Sequence, residues 1–129
     1  MVSPTHILLI DDDPLFSRLI GGKLAAAGFE MLYAQEGNEG REIARRMQPD
    51  LILLDLRLPK EDGFANFRRL RTEPQTRNIP VVVLTNQDLS GEAEKAVKEL
   101  GVADYIHKSI DPNLFIERIK KIITSSEKK

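Results

Sequence analysis

Asp55 closes the apolar run Leu51-Ile52-Leu53-Leu54, and Asp11, Asp12 and Asp13 close another, Ile7-Leu8-Leu9-Ile10. A carboxylate at the end of a buried strand is costly unless a cation, a hydrogen-bond donor or chemistry compensates it. Two apolar runs that both stop in aspartate therefore point to one acidic pocket, suited to a hard cation and a phosphoryl group. Thr85 ends Val81-Val82-Val83-Leu84, and Lys108 follows Asp104-Tyr105-Ile106-His107.

These residue types form a set with one kind of use. Mg²⁺ takes oxygen ligands, keeps several waters and needs only one or two carboxylates, which Asp11, Asp12 and Asp55 supply. Without a cation the three carboxylates would raise one another's pKa values; with one, Asp55 stays ionised and can attack phosphorus. Lys108 can pair with a phosphoryl oxygen as a point charge, and the Thr85 hydroxyl can donate to another. Each residue also has a plainer reading. Asp13 precedes Pro14 and suits a helix N-cap. Asp11 and Asp12 alone could be loop acids, Thr85 a strand residue and Lys108 a solvated strand end. His6 and His107 have no spaced metal-binding partner and read as structural, and Tyr105 reads as a packed aromatic with a wet hydroxyl.

The elements that must position these groups follow from hydrophobic periodicity. Strands are expected near 6–11, 29–34, 51–56, 81–85 and 104–107, three of them nearly continuous apolar runs of the kind buried on both faces. Helices are expected near 14–27, 37–47, 63–72, 89–100 and 112–125. Asp111 and Pro112 are read as the N-cap and first residue of the last helix, and Gly28 and Gly101 as C-terminal caps. Gly21-Gly22 is a weak spot in the first helix, at about 1 kcal/mol per glycine relative to alanine. The tail from Ser125 is expected to fray. Five βα units imply an α/β, doubly wound, five-stranded parallel sheet with five helices, and the flavodoxin-like order 2-1-3-4-5 suits this length. In that order strands 1 and 3 are neighbours at the switch point, where a crevice opens above their carboxyl ends. Asp11, Asp12, Asp55, Thr85 and Lys108 then share one rim.

The 129 residues are read as one domain, with a core from about 5 to 124. Hydrophobic residues make up 41% and charged residues 30%, the balance of an ordinary globular chain. Nineteen basic and twenty acidic residues give a net charge of -1, which argues against direct nucleic-acid binding. Absent cysteine excludes disulfides and thiolate metal sites. No apolar stretch approaches the roughly 20 residues that span a bilayer. The start Met1-Val2-Ser3-Pro4 lacks signal-peptide character, so a cytoplasmic location without membrane association is expected.

The segment Ile7-Leu8-Leu9-Ile10-Asp11-Asp12-Asp13-Pro14 resembles the opening of a bacterial two-component response-regulator receiver domain, of the single-domain chemotaxis-regulator kind. Residues 49–63, from Pro49 through Asp55 and Pro59 to Gly63, resemble that family's phosphorylation segment almost position for position. Residues 79–85 and 101–108 continue the match in order. The resemblance implies that a histidine kinase or phosphotransfer protein phosphorylates Asp55. It implies Mg²⁺ held by Asp12, Asp55 and the main-chain carbonyl of Arg57, with Asp11 acting mainly through water. It implies that Thr85 and Lys108 contact the phosphoryl group. Tyr105 would turn inward when Thr85 moves, changing the surface of helix 4, strand 5 and helix 5 for a downstream protein partner. Whether phosphorylation drives dimerisation is left open by the sequence. Two positions depart from the pattern: Ser109 stands where proline, often after a cis bond, is usual, and Asn86 where a small residue is usual. A non-proline cis bond costs roughly 2.5–4 kcal/mol. Arg57 and Gln87 flank the same entrance and could shield the acyl phosphate.

Two other functions compete. A haloacid-dehalogenase-like phosphatase would use Asp11 as nucleophile and Asp13 as acid–base, but leaves Asp55, Pro59 and Gly63 unexplained and lacks an acidic pair after Lys108. A nucleotide-binding protein would need a glycine-rich loop after strand 1, where carboxylates stand instead. A DNA-binding regulator is expected only if the sequence is part of a longer chain.

Overall fold

The computed structural model describes residues 5–57, 62–86, 95 and 97–127, with side chains as far as residue 125. Five strands, β1 (His6–Ile10), β2 (Glu30–Ala34), β3 (Leu51–Asp55), β4 (Val81–Thr85) and β5 (Asp104–His107), form one sheet. Its order is β2-β1-β3-β4-β5 and every pairing is parallel, as expected. The helices are α1 (Pro14–Ala26), α2 (Gly37–Met47), α3 (Gly63–Thr72) and α5 (Pro112–Glu127). Residues 95 and 97–99 are the described part of α4, and most of the expected helix 89–100 lies outside the described residues, as do Pro59 and Gln87.

Alternation along the strands divides the interior in two. Ile7, Leu9, Leu51, Leu53, Val82, Leu84 and Ile106 face α1 and α5, where Phe16, Leu24, Phe115 and Ile119 cover them. Leu8, Ile10, Ile52, Leu54 and Val81 face α2 and α3, where Ala44, Phe67 and Leu70 close the second core. β3 and β4 are buried at every position, as strands covered on both faces must be.

The helix ends follow local chemistry. Asp13 accepts from the N–H groups of Leu15 and Phe16, and Asp62 caps α3 through Phe64 N–H. Asp111 accepts from Asn113 N–H at 3.4 Å at the start of α5. Gly28 and Gly101 follow helices at φ values of 102° and 89°, where a side chain would be strained. A Cβ on Gly21 would lie 2.1 Å from the Tyr33 hydroxyl, so the half-exposed Tyr33 side chain uses the space that this glycine leaves, whereas Gly22 meets nothing within 4 Å. Residues 125–127, in the tail expected to fray, are helical as the end of α5. His6 is structural as expected, with Nε2 2.9 Å from Glu30 Oε2 and its N–H on Asp50.

Candidate functional site

Period-two alternation carries the site. Asp11 continues the parity of Ile7 and Leu9, Asp55 that of Leu51 and Leu53, and Lys108 that of Ile106. All three therefore leave their strands towards the α1–α5 side, above the carboxyl ends of β1, β3 and β5. Lys108 Nζ lies 2.6 Å from Asp11 Oδ2 and 3.1 Å from Asp55 Oδ2, with all three side chains almost wholly buried. The aromatic ring of Phe16, in the first turn of α1, lies beneath the ammonium at 4.7 Å, and Phe115 meets Phe16 edge-on at 6.4 Å. This aromatic floor has no sequence signal of its own, because Phe16 reads as one more apolar helix residue.

The remaining oxygens are partly engaged by backbone. Asp55 Oδ1 accepts from Arg57 N–H at 3.0 Å, and Asp11 Oδ1 from Asp13 N–H at 2.9 Å. Lys108 pairs with Asp11 Oδ2 at 2.6 Å, and no other donor reaches that buried oxygen. Asp12 is exposed at the pocket mouth, and oxygens of Asp11, Asp12 and Asp55 all lie within 4.8 Å of one another. Three carboxylates facing one lysine leave negative charge uncompensated, and their clustered oxygens fit a hard cation.

The electrostatics express the same imbalance. Burial pushes Asp11 up to about 6, partly offset by Lys108 and by Asp13 N–H, while the charge of Asp55 adds to the rise. Burial works against the Lys108 charge too, but Asp11 and Asp55 together outweigh it and hold the ammonium above its ordinary value. One cation between two carboxylates gains from both, whereas Asp11 shares its partner with Asp55.

The surrounding backbone holds these groups at fixed separations. Leu56 N–H donates to Leu84 carbonyl, extending the β3–β4 pairing one residue past Asp55. Arg57 forms an isolated antiparallel bridge with Asp62, and Gly63 N–H donates to Leu56 carbonyl at 3.2 Å. A Cβ on Gly63 would stand 2.4 Å from Leu56 Cα, so only glycine lets α3 start against the exit of β3. The need for glycine at position 63 has this cause. Thr85, buried at the end of β4, accepts Lys108 N–H on its carbonyl at 2.8 Å. Its side chain follows the parity of Val81 and Val83, opposite to Asp55, so Thr85 joins the rim from the other face of the sheet. Tyr105 pairs in register with Val83, and Thr85 with His107, which places Tyr105 and Thr85 on that same face. The Lys108–Ser109 peptide is trans, as the cost of a non-proline cis bond requires.

A cleft of about 560 Å³ opens at the opposite end of β4 and β5, beside Arg71, Asn78 and Lys121. Arg71 lies over the Phe67 ring and donates to the carbonyls of Arg77, Ile79 and Gly101, tying three segments together. That makes the arginine a structural clamp, remote from the acidic cluster. A second buried polar link joins α2 to α3, where Arg41 donates to Asn66. Neither arginine was distinguishable by sequence from a solvated one.

A doubly wound sheet with an acidic, cation-ready pocket at its switch point defines a phosphoacceptor signalling domain rather than a nucleotide-binding one. The chain belongs to the response regulator receiver domain family, whose sequence model matches residues 7–120. The transcriptional regulator RpaA of Synechocystis sp. is 37% identical over 95% of this chain, which spans only 51% of RpaA. The polar-differentiation response regulator DivK of Brucella anthropi is 32% identical, with 93% of this chain and 97% of DivK covered. The receiver domain of the Pseudomonas aeruginosa sensor histidine kinase PA1611 superposes with a TM-score of 0.83 at 28% identity, over 95% of this chain and 99% of that one. That structure holds a magnesium ion in its active-site cleft.

The chain is thus a receiver domain of two-component signalling, a class phosphorylated by histidine kinases or phosphotransfer proteins. The phosphatase alternative has no support: Asp13, its acid–base, is committed to capping α1, and the family match lies elsewhere. No helix among the described residues is long and apolar enough to cross a membrane.

Proposed function

We propose that Asp55 is the phosphoacceptor, in a reaction that depends on Mg²⁺ held by Asp12, Asp55 and the Arg57 carbonyl, with Asp11 acting through water. The observation that carries this reading is the contact of Asp55 with both a buried lysine and the acidic cluster. When bound there, the metal neutralises charge on the phosphoryl oxygens. A carboxylate oxygen of Asp55 attacks phosphorus, a P–O bond forms, and the bond from phosphorus to the donor's imidazole nitrogen breaks with the electron pair leaving on the donor. Lys108, already 3.1 Å from Asp55 Oδ2, follows the charge onto a phosphoryl oxygen, and Thr85 donates to another. Asp11 keeps Lys108 anchored in the pocket through its ion pair.

The donor is a histidine kinase or phosphotransfer protein in the cytoplasm, and the output is a protein contact on α4, β5 and α5 rather than direct nucleic-acid binding. A phosphorylation-dependent dimer is a compatible form of that output. Incubation with acetyl phosphate and Mg²⁺, followed by mass spectrometry, is expected to show one base-labile phosphate that is absent from Asp55→Asn. Full labelling of that variant would return the nucleophile's role to Asp11.

A further inference from the structure

Ser109 stands directly after Lys108, exposed and past the end of β5. Its backbone N–H donates to His107 Nδ1 at 3.1 Å, and its hydroxyl lies 2.7 Å from the same nitrogen. A backbone amide can only donate, so Nδ1 carries the ring's lone pair and the neutral imidazole holds its proton on Nε2. The hydroxyl therefore donates as well. Ile110 N–H donates to the His107 carbonyl at 3.1 Å, closing a turn with Lys108 and Ser109 at its centre. On the β4 side, Lys108 N–H donates to Thr85 carbonyl at 2.8 Å. The lysine backbone is held by β4 on one side and followed by a serine bonded to the His107 ring on the other, and from that turn its side chain reaches Asp55 and crosses the face of Phe16.

We propose that Ser109 is a positioning residue for Lys108, acting through His107 Nδ1 to fix the turn from which the lysine reaches the phosphoacceptor. This rests on the reading of Lys108 as the phosphoryl contact. A proline at this position would have neither an N–H nor a hydroxyl and could make neither bond. The device therefore belongs to the serine of this chain. Small displacements of a charged group at a reacting centre cost rate out of proportion to their size, which gives an exposed residue leverage on the reaction.

The test compares the wild-type chain with Ser109→Ala, Ser109→Thr and Lys108→Ala. Phosphoryl uptake from acetyl phosphate with Mg²⁺ is measured beside the ¹⁵N resonances of the His107 ring. Ser109→Ala keeps the N–H and loses the hydroxyl; it is expected to slow uptake roughly three- to tenfold, the effect of one hydrogen bond, and to move the Nδ1 resonance. Ser109→Thr, which retains the hydroxyl, is expected to restore both. Wild-type uptake in Ser109→Ala together with lost uptake in Lys108→Ala would overturn the proposal and leave the role of Lys108 standing. Wild-type uptake in Lys108→Ala would overturn that role and the proposal with it. A slow Ser109→Ala that threonine does not rescue, or whose Nδ1 resonance stays in place, would remove the hydroxyl or the ring from the chain of cause.

Discussion

Backbone geometry divides the work among three consecutive aspartates. Asp13, extended at φ -83° and ψ 108°, turns its carboxylate back onto α1, whereas Asp11 is drawn inward by Lys108 and Asp12 is left at the mouth. Asp13→Ala is expected to lower stability by about 0.5–2 kcal/mol with near-normal Mg²⁺ affinity. Asp12→Ala is expected to weaken Mg²⁺ binding with little loss of stability. Calorimetric titrations and thermal melts of both variants check the division, and equal affinities would contradict it. Asp11 adds a pH dependence. Its value in the fold is about 6 against 3.8 ordinarily, so between those values the folded chain binds more protons than the unfolded one. Through this group stability falls as pH rises across that window and is unaffected by further rise. The same proton competes with a divalent cation, so Mg²⁺ affinity should drop as pH is lowered from about 7.5 to about 5. Titrations at both pH values should show a shallower drop in Asp11→Asn.

At the level of elements, β4 and β5 couple the pocket to a distant face. The carbonyl of Thr85 holds Lys108 N–H, and Thr85 shares a sheet face with half-buried Tyr105. Tyr105 in turn is tied to α5, since Arg118 donates to its carbonyl at 3.0 Å and grips Asp104 with two bonds. A ligand shifts a two-state equilibrium only by its differential affinity for the two states, and a phosphoryl group supplies that difference through Thr85 and Lys108. Beryllofluoride with Mg²⁺ is therefore expected to perturb NMR signals across α4, β5 and α5. Thr85→Ala should bind the mimic while blunting the distant changes. Perturbations confined to the pocket of the wild type would instead make this domain a phosphate carrier.

Across the whole molecule, the two cores are unequal in what they support. The α1–α5 core reaches the pocket through Phe115, Phe16 and the ammonium of Lys108, whereas the α2–α3 core, with Leu54 and Leu70, lies on the other face of the sheet. Phe115→Ala should cost about 3–5 kcal/mol and Leu70→Ala about 2–5 kcal/mol, both by leaving a cavity. Only Phe115→Ala is expected to slow phosphoryl uptake as well, because the floor beneath Lys108 loses its support. Denaturant melts paired with uptake rates under folding conditions separate the two effects. Equal slowing in both variants would mean that stability alone governs the rate.

Much of this was legible in the linear order of residues. Apolar runs ending in Asp11, Asp55 and Thr85, punctuated by capping residues, marked the strand positions, and the strand order that suits a chain of this length placed their polar ends on one rim. The convergence of Asp11, Asp55 and Lys108 was implicit in that order, but the direct ion contacts depended on strand parity and register across β1, β3, β4 and β5. Only the tertiary structure decided that Phe16 lies beneath the ammonium, that Arg71 and Arg41 are drawn into polar clamps, and that Gly21 makes room for Tyr33. Gly63 shows both sides: its spacing from Asp55 is written in the sequence, but its necessity comes from Leu56, whose backbone fills the place a side chain would need. Local pattern dictates which face a residue takes; what it meets there depends on elements far away in the chain.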